Sequence, residues 1–179
     1  MKLFSAKWRA LPVVFVILAS SCSHRYFIVR HAEKMTVAPN MNSDVGLSVP
    51  GEQRADDLLD RLKKDKIKYA FTTQTVRTIS TITPTADYFN IDIQFYGPKP
   101  DSVFINKLRA LKKNTLIVGH SNTVDDIVNM LCGTIKVPAD LKDNEYDHLF
   151  IIKKRGNRYL FKSENTNVRR LFPIHSMRT

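Results

Sequence analysis

Two cysteines, Cys22 and Cys132, are all that this chain of 179 residues contains. That is too few for a disulfide scaffold or a paired-cysteine zinc site. There is no His-Glu-x-x-His either, so no metal-ligand spacing stands out and no metal or other cofactor is expected. Six glycines and eight prolines argue against long disordered segments. Acids are scarce, 17 against 28 lysines and arginines, for a net charge of +11. Such an excess suits an anionic ligand: a phosphate ester, a nucleic acid or an anionic membrane. The basic clusters are Arg61-Leu62-Lys63-Lys64, Lys107 to Lys113, Lys153-Lys154-Arg155 and Arg169-Arg170. They are scattered along the chain and read as a solvated basic surface. None interleaves aromatics as a base-stacking surface does, so no nucleic-acid partner is expected.

What the chain does have begins with a leader. Lys2, Lys7 and Arg9 precede an apolar run, Leu11 to Leu18, and then the small residues Ala19-Ser20-Ser21. That order is a secretory signal over residues 1–21. The run is too short to read as a membrane span. A cysteine directly after small residues resembles a bacterial lipobox, with Ala19 where the usual leucine stands and Leu18 one place further back. The resemblance implies acylation of Cys22, export, and a lipoprotein held to a membrane of the bacterial cell envelope. Cys132, on an apolar helix face, then has no partner and reads as a buried, inert thiol. Cys22 lies at most about 26 Å of extended chain before Arg30. If that stretch is a strand, the anchor and Arg30-His31 sit at its opposite ends, and the site faces away from the membrane.

The remainder, 22–179, alternates strand and helix signals with no repeat or linker, and reads as a single domain. Strand-like runs are 26–30, 69–72, 91–96, 115–118, 149–153 and 159–162, the last two separated by Arg155-Gly156-Asn157, a hairpin turn. Ala55, Leu58, Leu59 and Leu62 form an amphipathic stripe after the start signals Ser48 and Pro50. Phe104, Leu108 and Leu111 form a second stripe. Val124, Ile127, Val128 and Leu131 form a third, closed by Gly133. Between Val76 and Phe89 the helical signal is weaker, because Pro84 must kink it or mark a new start. The alternation predicts an α/β fold, a three-layer α/β/α sandwich with a mainly parallel central sheet and an antiparallel edge hairpin.

Chemistry concentrates where strand-like runs end. Tyr26-Phe27-Ile28-Val29 runs into Arg30-His31-Ala32-Glu33, and Thr115-Leu116-Ile117-Val118 runs into Gly119-His120-Ser121. Carboxyl ends of parallel strands are where α/β proteins place ligands. Taken singly, His31 is an ordinary strand-end histidine, Arg30 a surface cation, Arg77 a helix-start residue and His120 a turn residue. Their joint appearance points to a pocket for a tetrahedral anion. Ser121 is a poor candidate for a serine-hydrolase nucleophile, since Thr123 stands where Gly-x-Ser-x-Gly needs its last glycine. His24, His148 and His175 read as solvated bystanders.

Four segments taken in order, Arg30 to Glu33, Leu47 to Ala55, Thr73 to Thr78 with Thr81, and Gly119 to Thr123, resemble the histidine phosphatase superfamily, its phosphoglycerate mutase-like branch. The resemblance implies that His31 is a nucleophile forming a phosphohistidine. It implies that Arg30 and Arg77 grip the phosphoryl oxygens and that His120 is the second pocket histidine. Helix starts near 32–34 and 121–124 would aim N–H groups at the same anion. Ser121 and Asn122 would cap a helix or bond the phosphate. For the general acid the candidates are Asp101, which reads equally as a helix cap, and Glu33, which reads equally as an ion-pair partner. The expected function is a metal-independent phosphatase for a phosphomonoester or a phosphohistidine, acting on a small phosphorylated substrate or a phosphoprotein. The alternative is a non-catalytic, membrane-tethered phosphate-binding protein.

Overall fold

The computed structural model describes residues 23–36 and 44–166. The leader, Cys22 and His175 lie outside them. A six-stranded sheet is built from β1 (Ser23–Arg30), β2 (Tyr69–Thr72), β3 (Ile93–Phe95), β4 (Thr115–Gly119), β5 (His148–Arg155) and β6 (Arg158–Asn165). Its order is β3-β2-β4-β1-β5-β6. The ladders among β3, β2, β4 and β1 are parallel, and those of β5 with β1 and β6 are antiparallel. The sandwich with an antiparallel edge hairpin is therefore as the alternation predicted. The hairpin closes through Gly156-Asn157, with Gly156 at φ 57°.

Period-two alternation divides the sheet between two cores. On one face Tyr26, Ile28, Phe71 and Ile117 meet Phe104, Leu108, Val124 and Leu131. These last come from α3 (Ser102–Leu111) and α4 (Val124–Cys132). On the other face Phe27, Val29, Leu116 and Val118 meet Leu58, Leu62, Ile82 and Ala86, from α1 (Val49–Leu62) and α2 (Val76–Phe89). β1 and β4 lie at the centre, so both motif-bearing strands are covered on both sides.

Several expectations need correction. α2 is a single helix through Pro84, so no new helix starts there. Although proline leaves the Ser80 carbonyl without its helical donor, Ile82 and Ala86 are fully packed on either side of it. The Thr83 hydroxyl donates to the Ile79 carbonyl (2.8 Å) in the same turn. No helix begins at 32–34: after His31 the chain is irregular, with one bridge from Lys34 to Leu47. Cys132 is half-buried rather than buried. His24 is not solvated but buried, bonded through Nε2 to the Tyr26 hydroxyl (2.9 Å).

Candidate active site

The parallel ladder between β1 and β4 pairs Arg30 with Gly119, and the His31 N–H donates to the Gly119 carbonyl (2.8 Å). His31 and His120 therefore leave neighbouring strands at the same level. Their rings are 5.4 Å apart, edge to face. Gly119 is required there: a Cβ would fall 2.8 Å from both the Thr123 hydroxyl and the Tyr96 hydroxyl. Behind the segment that follows His31, α1 presses its first turn on Glu33. A Cβ on Gly51 would lie 2.2 Å from the Glu33 carbonyl oxygen. Ser48 caps this helix by accepting from the Gly51 N–H (3.3 Å).

His31 is 4% exposed. Its Nδ1 lies 2.8 Å from the Ala32 carbonyl oxygen. A carbonyl only accepts, so Nδ1 carries the proton and Nε2 keeps its lone pair. Burial, helped by the Arg77 and Arg30 charges and opposed by the Ala32 bond, pulls its pKa down to about 3. His120 is likewise lowered to about 4, by burial and then by Arg77 and Arg30. Arg77 Nη2 lies 3.5 Å from His120 Nδ1. A guanidinium only donates, so Nδ1 is the acceptor, and His120 Nε2–H donates to the Thr73 hydroxyl (2.9 Å). Both imidazoles are neutral at pH 7.

Arg77 sits in the first turn of α2, with Asp44 at 3.5 Å. The Thr81 hydroxyl accepts from the Ala32 N–H (2.9 Å) and donates to the Arg77 carbonyl (2.7 Å). One side chain thus ties the segment after His31 to the turn bearing Arg77. Arg30 is 6% exposed. Its Nη1 donates to the Lys142 carbonyl (2.7 Å), and its guanidinium lies 4.1 Å from the Tyr146 ring centroid. Its Nε is buried with no partner among the described residues.

His31, Arg30, Arg77, His120 and Ser121 line one cavity of about 690 Å³. Asp101 does not line it. Its carboxylate accepts from the Phe104 N–H (2.8 Å) and caps α3, so Asp101 is a cap and not an acid in this pocket. Glu33 is held by two hydrogen bonds from Arg54, of 2.7 and 2.6 Å. Burial raises its pKa, but Arg54 more than offsets this, and the carboxyl stays below its usual range. Ser121 and Asn122 line the cavity without capping α4, whose N-cap is Thr123. The sequence reading missed Lys34, Asp143 and Tyr146 on the cavity wall. The last two lie in a stretch with neither helical nor strand periodicity, so no local signal marked them. Among the described residues no group of three or more His, Cys, Asp or Glu side chains is placed to hold a metal ion.

Two histidines and two arginines line an open cavity at the carboxyl ends of central parallel strands, a set of donors and cations whose chemistry suits an oxyanion. The sequence profile of the histidine phosphatase superfamily (branch 1) matches residues 26–96. Over that segment, less than half of its length, the chain resembles this superfamily. No curated protein sequence matches it. Among solved structures it resembles the protein histidine phosphatase SixA complexed with tungstate, at 18% identity and a TM-score of 0.64, over 79% of this chain and 97% of that one. It also resembles phosphoglycerate mutase from Bacillus anthracis, at 13% identity and a TM-score of 0.57, over 80% and 93%. A third is a mycobacterial glucosyl-3-phosphoglycerate phosphatase, at 11% identity and a TM-score of 0.57, over 80% and 99%.

Proposed function

We propose that the chain is a metal-independent phosphatase that hydrolyses a phosphomonoester or a phosphohistidine through a covalent phosphohistidine on His31. The observation that carries this reading is the tautomer of His31. With Nδ1–H committed to Ala32, the lone pair on Nε2 is available in the cavity at neutral pH. In the first step Nε2 attacks phosphorus. The N–P bond forms as the bond to the leaving oxygen or nitrogen breaks, and the leaving group takes a proton. Water then attacks phosphorus, the N–P bond breaks, and phosphate departs with His31 restored. Arg77 and Arg30, both on the cavity wall, stabilise the charge on the phosphoryl oxygens. Arrival of a dianion offsets the Arg77 and Arg30 charges that, after burial, hold His120 neutral. Its pKa then rises and it can take up a proton to donate.

Neither Asp101 nor Glu33 is free to protonate a leaving alkoxide. This favours leaving groups that depart without a strong acid, and an imidazole is better in that respect than an alkoxide. The neighbour complexed with tungstate, itself a tetrahedral oxyanion, is a protein histidine phosphatase, which supports the same substrate class here. Export and acylation at Cys22 belong to this proposal on the strength of the leader sequence. The test is His31→Ala on an aryl phosphate, together with acid-labile phosphate labelling of the unmodified protein. Loss of turnover and a label confined to His31 are expected. Full turnover in the variant refutes the nucleophile. Absence of any label favours the phosphate-binding alternative.

A further inference from the structure

The end of the sheet opposite the cavity gathers basic clusters that lie far apart along the chain. Tyr26 and Tyr69 both pair with Thr115. The residues just before these strands therefore form one row, in which the Lys68 N–H donates to the Asn114 carbonyl and the Arg25 N–H to the Asn114 side chain (both 2.9 Å). The hairpin tip joins the same row, with Ser23 opposite Arg155 and Arg155 opposite Arg158. Six exposed cations cluster there: Lys64 and Lys66 before β2, Lys112 and Lys113 before β4, and Arg155 and Arg158 at the tip. None forms an ion pair among the described residues. The buried carboxylate of this end, Asp65, is already shared by Arg25 and Arg61.

Two observations show that this end carries its charge against local preference. Lys66 and Lys112 both have φ of 49°, a left-handed conformation that favours glycine or asparagine. Arg155 and Arg158 face one another across the hairpin, where like charges repel.

We propose that this cationic end docks on an anionic phospholipid surface and holds the cavity facing outward, roughly 23 Å away along β1. No aromatic residue lies in the three turns that carry these cations, which disfavours single-stranded nucleic acid as the partner. The apolar run Leu11 to Leu18 joins the domain through Ser23, at this same end. The surface is made of described residues and is independent of Cys22 acylation and of the phosphatase reading.

The test uses the full chain carrying Cys22→Ser, so that acylation does not contribute. Sedimentation with vesicles of phosphatidylcholine alone is compared with vesicles containing about one-third phosphatidylglycerol at low salt. A preference for the anionic vesicles is expected. Lys112→Gln/Lys113→Gln/Arg155→Gln should lower partition onto them roughly 100-fold, taking about fivefold per cation at the surface, and leave binding to phosphatidylcholine unchanged. Lys64→Gln/Lys66→Gln/Arg158→Gln, which alters the other three cations, should give the same loss. Lys99→Gln, in the loop after β3, should change partition less than about twofold because solvent ions screen a distant charge. Equal partition onto both vesicle types, or a preference that neither triple variant reduces, overturns the proposal. Displacement from anionic vesicles by duplex DNA at matched phosphate concentration overturns it too, and reassigns the surface to nucleic acid.

Discussion

Acidification from pH 7 to pH 5 should weaken this fold more than its carboxylates can explain. In the unfolded chain His31 titrates near 6.5, whereas in the folded chain its pKa lies at about 3. Between those values the unfolded state binds a proton that the folded state refuses, so stability falls as pH falls through this window. The linkage relation gives a loss of about 2 kcal/mol from His31 between pH 7 and 5. His120, held at about 4 but only partly buried, contributes about 1 kcal/mol more after discounting for solvent screening. His24 acts in the same direction. Asp125, pushed up by burial, acts in the opposite one. Glu33 and Glu164 have lowered pKa values and lose their contributions only below about 4.5, outside the window. A total near 3 kcal/mol is a large share of the 5–15 kcal/mol typical of a domain. Urea denaturation in phosphate-free buffer at both pH values measures it, because bound phosphate would itself stabilise the folded state. The His31→Gln variant should recover about 2 kcal/mol of the difference. Equal stability at the two pH values, or an identical loss in His31→Gln, refutes the buried neutral imidazole.

Two further outcomes separate roles at the cavity. Asp101→Ala should lower stability by about 1 kcal/mol through loss of the α3 cap and leave kcat unchanged, as read by denaturation beside a turnover assay. Tyr146→Ala removes the ring under Arg30 and should raise KM about tenfold, from about 1–2 kcal/mol of cation–π interaction in a desolvated site, whereas Tyr146→Phe should stay near the parent value.

Much of the fold was legible because periodicity and packing agree. β1 and β4 are buried on both faces and read as continuous apolar runs; α1, α3 and α4 carry their stripes where the cores need them. The motif residues were legible because a strand end fixes where its next side chain goes. What escaped was set by distance along the chain. Arg54, 21 positions from Glu33, fixes that carboxylate in an ion pair. The stretch 142–146, more than a hundred positions away, secures Arg30 through carbonyls that no side-chain pattern reveals. Nor did local sequence disclose that basic clusters near residues 64, 112 and 155 share one end, which follows only from strand register. Pro84 does not start a new helix, because packing on both sides of it holds α2 together.

The Thr81 hydroxyl has a consequence for how substrates are told apart. By linking the backbone at Ala32 to that at Arg77 it fixes, before anything enters, the spacing of the segments that carry the proposed nucleophile and clamp. Little ordering energy then remains for a correct substrate to release, so the interior cannot discriminate by closing around its guest. Selectivity falls to the mouth, where Lys34, Pro98 and Asp143 stand. Exchanging those three side chains should retune which phosphorylated molecule is accepted while the inner quartet continues to grip the phosphoryl group they all share.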